Sequence, residues 1–175
     1  MRLSALKHLI EATQALGRPE RIRVLGSSAL LASFPGLGEP GQPLELSFDA
    51  DLLIEPCDSQ LAAMLHEAVG EGSLFAQRTG YHADFLRPDI LETLPTGWES
   101  VLVSLEGIAN AGALAPADVA AVKLRLGRPK DLQLCRHLIG GALVTPDAIR
   151  RRLDAMRLVE SEIVRVFARL REVSG

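Results

Sequence analysis

The stretch "SFDADLLIEP", residues 47–56, sets Asp49 and Asp51 one residue apart in an otherwise apolar run. With the residues before it, "LELSFDADLLIE" alternates: Phe48, Ala50, Leu52 and Ile54 share one face, and Ser47, Asp49 and Asp51 share the other. A period of two predicts a β-strand. Strand residues two apart point the same way, with Cα atoms about 6.5–7 Å apart. Two readings follow for the aspartates. They are the wet face of a half-solvated strand, or they converge on Mg²⁺, a hard cation that takes oxygen ligands and sits in pairs about 3.5–4 Å apart in two-metal sites.

Upstream, "IRVLGSSALLASF" predicts a short buried strand over Ile22–Leu25, a turn at Gly26-Ser27-Ser28 and a helix starting at Ala29. A helix N-terminus offers unpaired N–H groups and a partial positive charge to a phosphate, and glycine lets a ligand approach the backbone. A serine cap after a glycine turn explains the same residues without a ligand. Leu3, Leu6, Leu9, Ile10, Thr13 and Leu16 predict an N-terminal helix that Gly17 stops. "PGLGEPGQP", residues 35–43, reads as an irregular loop, either a lid or decoration.

Downstream, Asp58 is placed to cap a helix through Leu61, Met64, Leu65 and Ala68. "YHADFL" predicts a short strand that carries Asp84 and, on the same face, His82. Asp84 is either a third carboxylate able to share a metal and accept a proton, or a solvated strand-end acid. His82 is read as structural. "PTGW" is a turn that seats Trp98 as a packing anchor; "ESVLVSLEG" is a strand, and "IANAGALAP", with Gly107 and Gly112, crosses from strand to helix. "PADVAAVKLRLG" and "RPKDLQLCRHLIGG" are helices with proline near the start. A single long helix is expected from Thr145 as N-cap and Pro146 as N1, with an apolar stripe Ile149, Leu153, Met156, Val159, Ile163, Val166 and Leu170. That stripe either covers its own domain or meets another copy.

The 175 residues are 47% hydrophobic and 23% charged, which is globular composition. The net charge of −3 argues against a broad RNA-binding surface, while Arg125, Arg128, Lys130 and Arg136 argue the other way. Two cysteines, Cys57 and Cys135, sit in no metal-ligand spacing, so a reduced cytoplasmic chain is expected. No segment reads as a membrane span.

A Gly-Ser turn opening a helix, an Asp-x-Asp strand and a later strand carboxylate together resemble the nucleotidyltransferase superfamily related to DNA polymerase beta. "GYHADFLRPDILETLPTGWESVLV" and "LAPADVAAVKLRLGRPKDLQLCRHLI" resemble a bacterial family of nucleotidyltransferase-like domains of unknown function, distantly akin to minimal nucleotidyltransferases and AbiEii-type toxins. The resemblance covers residues 20 to 155, with "GRPKD" and "LPTGWE" its most specific pieces.

It implies an α+β fold: a small mixed sheet with helices on one face in residues 1–115, and a C-terminal helical segment over 116–175 packed on it. It further implies Asp49, Asp51 and Asp84 as catalytic metal ligands for Mg²⁺ or Mn²⁺. Gly26, Ser27, Ser28, Lys123 and Lys130 would bind a nucleoside triphosphate, with Asp131 orienting the basic cluster. The implied activity is transfer of a nucleoside monophosphate to an acceptor hydroxyl on RNA, protein or a small molecule, toxin-like and governed by a cognate protein partner. The alternative is a non-catalytic nucleotide-binding or toxin–antitoxin component. The chain departs from the pattern in two places: Ser47 is the only polar stand-in for the Arg or Thr that many relatives place shortly before the acid pair, and the Gly26–Asp49 interval is lengthened by the Pro/Gly loop.

Overall fold

The computed structural model describes residues 1–56 and 58–175; Cys57, one of the two cysteines expected to be reduced, lies outside the described residues. The fold is α+β and forms two compact units. The first comprises Met1–Pro88 and Leu102–Leu114, and the second Asp89–Val101 and Ala115–Gly175. Among the described residues, no helix is long and apolar enough to cross a membrane.

The first unit is built on a five-stranded mixed sheet of β1 (Arg21–Val24), β2 (Asp49–Glu55), β3 (His82–Phe85), β4 (Val103–Leu105) and β5 (Ile108–Ala113), in the order β3-β2-β1-β5-β4. β1 runs antiparallel to β2 and parallel to β5, and β2 runs parallel to β3. Residues opposed in register share a face. Ile22 and Val24 face Ile54 and Leu52 across one ladder and Ala111 and Ala113 across the other. Ala50 continues this face to Ala83. All of these side chains are buried. The opposite face carries Asp49, Asp51, Asp84, His82, Arg23 and Glu55, interrupted by Leu53, which is fully buried, so the main apolar core lies on one side of the sheet and most of the polar side chains on the other.

Helices α1 (Leu3–Gly17) and α2 (Ser59–Val69) pack side by side, α1 also touching β5 and α2 touching β3. Leu6, Leu9, Ile10 and Leu65 are fully buried. Asp58 caps α2 as expected, accepting from the Gln60 N–H at 2.7 Å and the Leu61 N–H at 3.3 Å, an arrangement that stabilises a helix by about 1 kcal/mol. The left-handed residue after α1 is Arg18 (φ 47°), one place beyond the glycine expected to stop it.

Outside the Gly26 corner, three elements of this unit differ from expectation. β2 begins only at Asp49: Leu44–Ser47 form turns, and Phe48, expected on the buried face, is 54% exposed. The segment 35–43 is a 3-10 helix (Pro35–Gly38) plus turns, held by Leu37 and Leu44, which are buried. The Leu44 N–H donates to the Leu37 carbonyl at 2.9 Å, and the Met1 nitrogen donates to the Leu44 and Glu45 carbonyls. These contacts fasten the segment to its own unit. "IANAGA" is the strand β5, paired on both sides, and not a crossing. Its small residues have low strand propensity, but they let a central strand pass under a bulky neighbour: the Arg23 side chain lies over Gly112, 3.4 Å from where a Cβ would stand.

The second unit contains α4 (Pro116–Leu126), α5 (Pro129–Gly140), α6 (Pro146–Asp154) and α7 (Glu160–Ser174); the short helix α3 (Leu74–Thr79) belongs to the first. Thr145 caps α6 through Ala148 N–H at 3.2 Å, as expected. The expected single C-terminal helix is broken into α6 and α7. The Ala155 carbonyl accepts from the Thr96 N–H at 2.9 Å, and Glu162 accepts from the Val159 N–H at 3.1 Å, opening a new helix. Val159 and Ile163 leave the apolar stripe and are exposed; Ile149, Leu153, Met156, Val166 and Leu170 stay buried. Trp98 is a packing anchor at 5% exposure.

"GRPKD" is a helix-to-helix turn. Gly127 takes φ 66° at the end of α4, and the Arg169 guanidinium fills the space a side chain would need, donating to the Leu124 and Arg125 carbonyls at 2.8 and 2.9 Å. Asp131 is buried; it accepts from the Arg128 side chain at 2.7 Å and main chain at 3.3 Å, and lies 3.4 Å from the Lys123 ammonium. Burial opposes ionisation of Asp131, but the Arg128 and Lys123 cations outweigh it and hold the carboxyl below its usual value. A depressed carboxyl pKa adds stability above the unfolded value near 4 and loses it as pH falls through the folded value. Wild-type stability is therefore expected to fall below about pH 4, and Asp131→Asn should flatten that fall; urea melts across the acid range read both.

Candidate metal centre

The parallel register of β2 with β3 builds the site. Asp51 stands opposite Asp84, and Asp49 opposite His82. This register is secured at its ends by His82 N–H to Phe48 carbonyl at 2.9 Å and Leu86 N–H to Leu52 carbonyl at 2.8 Å. Because opposed residues share a face, Asp49, Asp51 and Asp84 converge: one carboxylate oxygen from each lies within 4.8 Å of the others. Asp49 is exposed and the other two are partly buried. Three like charges this close repel one another, and a divalent cation between them removes that repulsion. The donor set, three carboxylates and no sulfur, suits a hard ion.

Gly26 borders the same cluster. Its Cα lies so close to Asp51 that an added Cβ would collide with the carboxylate group. The corner is tied to β2 by the Leu25 N–H donating to the Asp51 carbonyl at 2.9 Å. Glycine at 26 is thus what lets Asp51 occupy its place. The helix that follows is shorter and tighter than expected: a 3-10 helix of six residues, Ser27–Ala32, in which the Ala29 N–H already bonds the Gly26 carbonyl at 3.1 Å. A single short 3-10 segment sums few peptide dipoles. The donors at this corner that could face a ligand are local N–H and hydroxyl groups. Ser27 is partly exposed; Ser28 is buried with an unpartnered hydroxyl.

Two further residues touch the acids. Ser47 donates from its hydroxyl to Asp49 at 3.4 Å. His82, read as structural in sequence, has Nε2 3.7 Å from Asp84 Oδ1 and an 18% exposed side chain. Its place beside the acids was visible only as a shared strand face. Behind the start of β3, Tyr81 packs edge-on against Phe75, and its hydroxyl meets His8 Nδ1 at 2.6 Å. The two lysines named as phosphate ligands lie in the helical unit: Lys123 is buried beside Asp131, and Lys130 is exposed on α5. Cys135 is no nucleophile, since burial, with Asp131 beside it, pushes the thiol up to about 12.

Comparison with known proteins finds no match among family models, curated proteins or solved structures. The fold and site by themselves define an α+β protein with an acidic triad on the polar face of a mixed sheet.

Proposed function

We propose that the chain is a metal-dependent nucleotidyltransferase acting in the cytoplasm, moving a nucleoside monophosphate from a nucleoside triphosphate to an acceptor hydroxyl. The convergence of Asp49, Asp51 and Asp84 beside the Gly26 corner carries this reading. Those three carboxylates would hold Mg²⁺ or Mn²⁺, which when bound supplies positive charge for the α-phosphate and for the acceptor oxygen. Asp84, on its own strand and 44% exposed, receives the acceptor proton. A bond forms between the acceptor oxygen and the α-phosphorus, and the bond from that phosphorus to the bridging oxygen breaks, releasing pyrophosphate. The Ser27 hydroxyl, next to the Gly26 corner, donates to the triphosphate tail.

The test is transfer of label from an α-labelled nucleoside triphosphate in the presence of Mg²⁺, using a cell extract as the source of acceptors. Asp49→Asn/Asp51→Asn is expected to reduce labelling by about 10³-fold or more, the scale on which removing charge-stabilising groups acts. Undiminished labelling in the double variant removes the mechanism.

A second reading, a non-catalytic nucleotide sensor or toxin–antitoxin component, is favoured by one observation: Lys123, an expected phosphate ligand, pairs with Asp131. Thermal stabilisation by a nucleotide with Mg²⁺ but no pyrophosphate release supports that reading against the first.

A further inference from the structure

Charge is divided unequally along the chain. Residues 1–114 hold 7 Lys/Arg against 15 Asp/Glu, and residues 115–175 hold 12 against 7. The second unit stays positive even when the three acids of 89–101 are counted with it. The excess persists at the surface of residues 115–175, where eight cations are exposed against four acids, Asp147, Asp154, Glu160 and Glu172. Asp118 and Asp131 are buried in ion pairs with Arg152, and with Arg128 and Lys123, whereas eight of the twelve cations are exposed. Ten of the twelve are arginine. The arginine fork matches a phosphate in two directions at once, which an ammonium cannot do.

Four of the exposed cations, Lys130, Arg136, Arg171 and Arg150, form a ridge over three helices that pack in the order α5–α7–α6. On α5, Lys130, Gln133, Arg136 and His137 are exposed and fall on one side of the helix, with no acid among them. Arg136 reaches across to Glu172 on α7. Next to Glu172, Arg171 lines an open groove of about 290 Å³ together with Arg150 of α6, Phe167 and Ser174; Asp147 is the one acid there. The Arg150 guanidinium lies 5.7 Å from the centre of the Phe167 ring. Adjacent helix axes lie about 8–10 Å apart, and α7 packs against both α5 and α6, so Arg136, Arg171 and Arg150 step across three neighbouring helices. Cations interleaved with an aromatic ring are the elements of a single-strand surface, where phosphates meet the cations and a base stacks.

We propose that this α5–α7–α6 ridge docks a single-stranded nucleic acid through its phosphodiester backbone. The binding itself does not depend on the nucleotidyl-transfer reading; that the bound strand is the acceptor does rest on it.

The experiment is fluorescence anisotropy of the full chain with a short labelled RNA over a salt series. Wild type binds, with affinity falling as salt rises. Arg136→Ala/Arg150→Ala/Arg171→Ala weakens binding about tenfold or more and lowers the salt slope by about 2, the share of three contacts at roughly 0.7 each. Glu172→Gln, which removes an acid from the ridge, tightens binding and keeps the test informative should the triple variant fold poorly. Binding unchanged in both variants overturns the proposal. So does equal or tighter binding of polyglutamate or of anionic lipid vesicles, which would assign the ridge to a protein or a membrane. Asp49→Asn/Asp51→Asn is expected to bind the RNA like wild type. Intact binding with no transfer activity from wild type leaves the ridge standing and removes the catalytic reading alone.

Discussion

Gly26→Ala is expected to abolish divalent-metal affinity while leaving the fold nearly intact. The methyl group would occupy the position of the Asp51 carboxylate, and its nearest neighbours are all side-chain atoms of Asp51. A short flexible side chain can swing aside, so the strand pairing survives, and a strained rotamer costs about 0.5–1.5 kcal/mol. The cluster does not survive, because Asp51 can leave the overlap only by moving its carboxylate from where Asp49 and Asp84 meet it. Thermal melting and metal titration of the same preparation separate the two effects. A variant that binds metal like wild type would mean that Asp51 is not a ligand. A variant that fails to fold would mean that the corner, and not the carboxylate, is the rigid part.

Arg152→Ala should have the largest effect on stability, through a different route. Asp118 is completely buried at the first turn of α4, and the Arg152 guanidinium of α6 donates to both its oxygens while also reaching the Thr96 carbonyl at 3.3 Å. Burial pushes the Asp118 carboxyl up, and the Arg152 hydrogen bond and charge draw it back down. Removing the arginine leaves a buried carboxylate with its main partner gone, a change that destabilises by about 3–5 kcal/mol. Adding Asp118→Asn removes the stranded charge and should recover a good part of the loss. Urea melts of the two single variants and the double give the coupling directly. Strict additivity of the two changes would show that the pair does not act as a unit.

The elements that build the acidic cluster were those most legible in the sequence. The Asp-x-Asp alternation, the short strand around Asp84 and the glycine after a buried strand were each local patterns, and the sheet brought all three together. What alternation could not reveal was the register. That Asp51 faces Asp84, while Asp49 faces His82, is a property of the β2–β3 pairing, and a slip by one residue would have scattered the acids to opposite faces. β5 was hidden because Ala109, Asn110, Ala111, Gly112 and Ala113 lack the branched side chains that usually mark a strand; tertiary packing beneath Arg23 overrode propensity. The division between α6 and α7 contains neither glycine nor proline. Its one local signal is Glu162 three residues after Val159, the spacing by which a side chain closes back on a helix start. The neighbourhood of Lys123 was partly legible: the resemblance set Asp131 beside the basic cluster, and the fold adds that this acid is buried and pairs with Lys123.

The most direct test of the central claim is a manganese titration followed by electron paramagnetic resonance, in which hydrated Mn²⁺ loses signal when protein carboxylates bind it. Wild type is expected to quench the signal to saturation, Mg²⁺ to restore it by competition, and Asp51→Asn to leave it near the level of free ion. An unquenched signal with wild type, or equal quenching by Asp51→Asn, would contradict the assignment of Asp49, Asp51 and Asp84 as a metal centre.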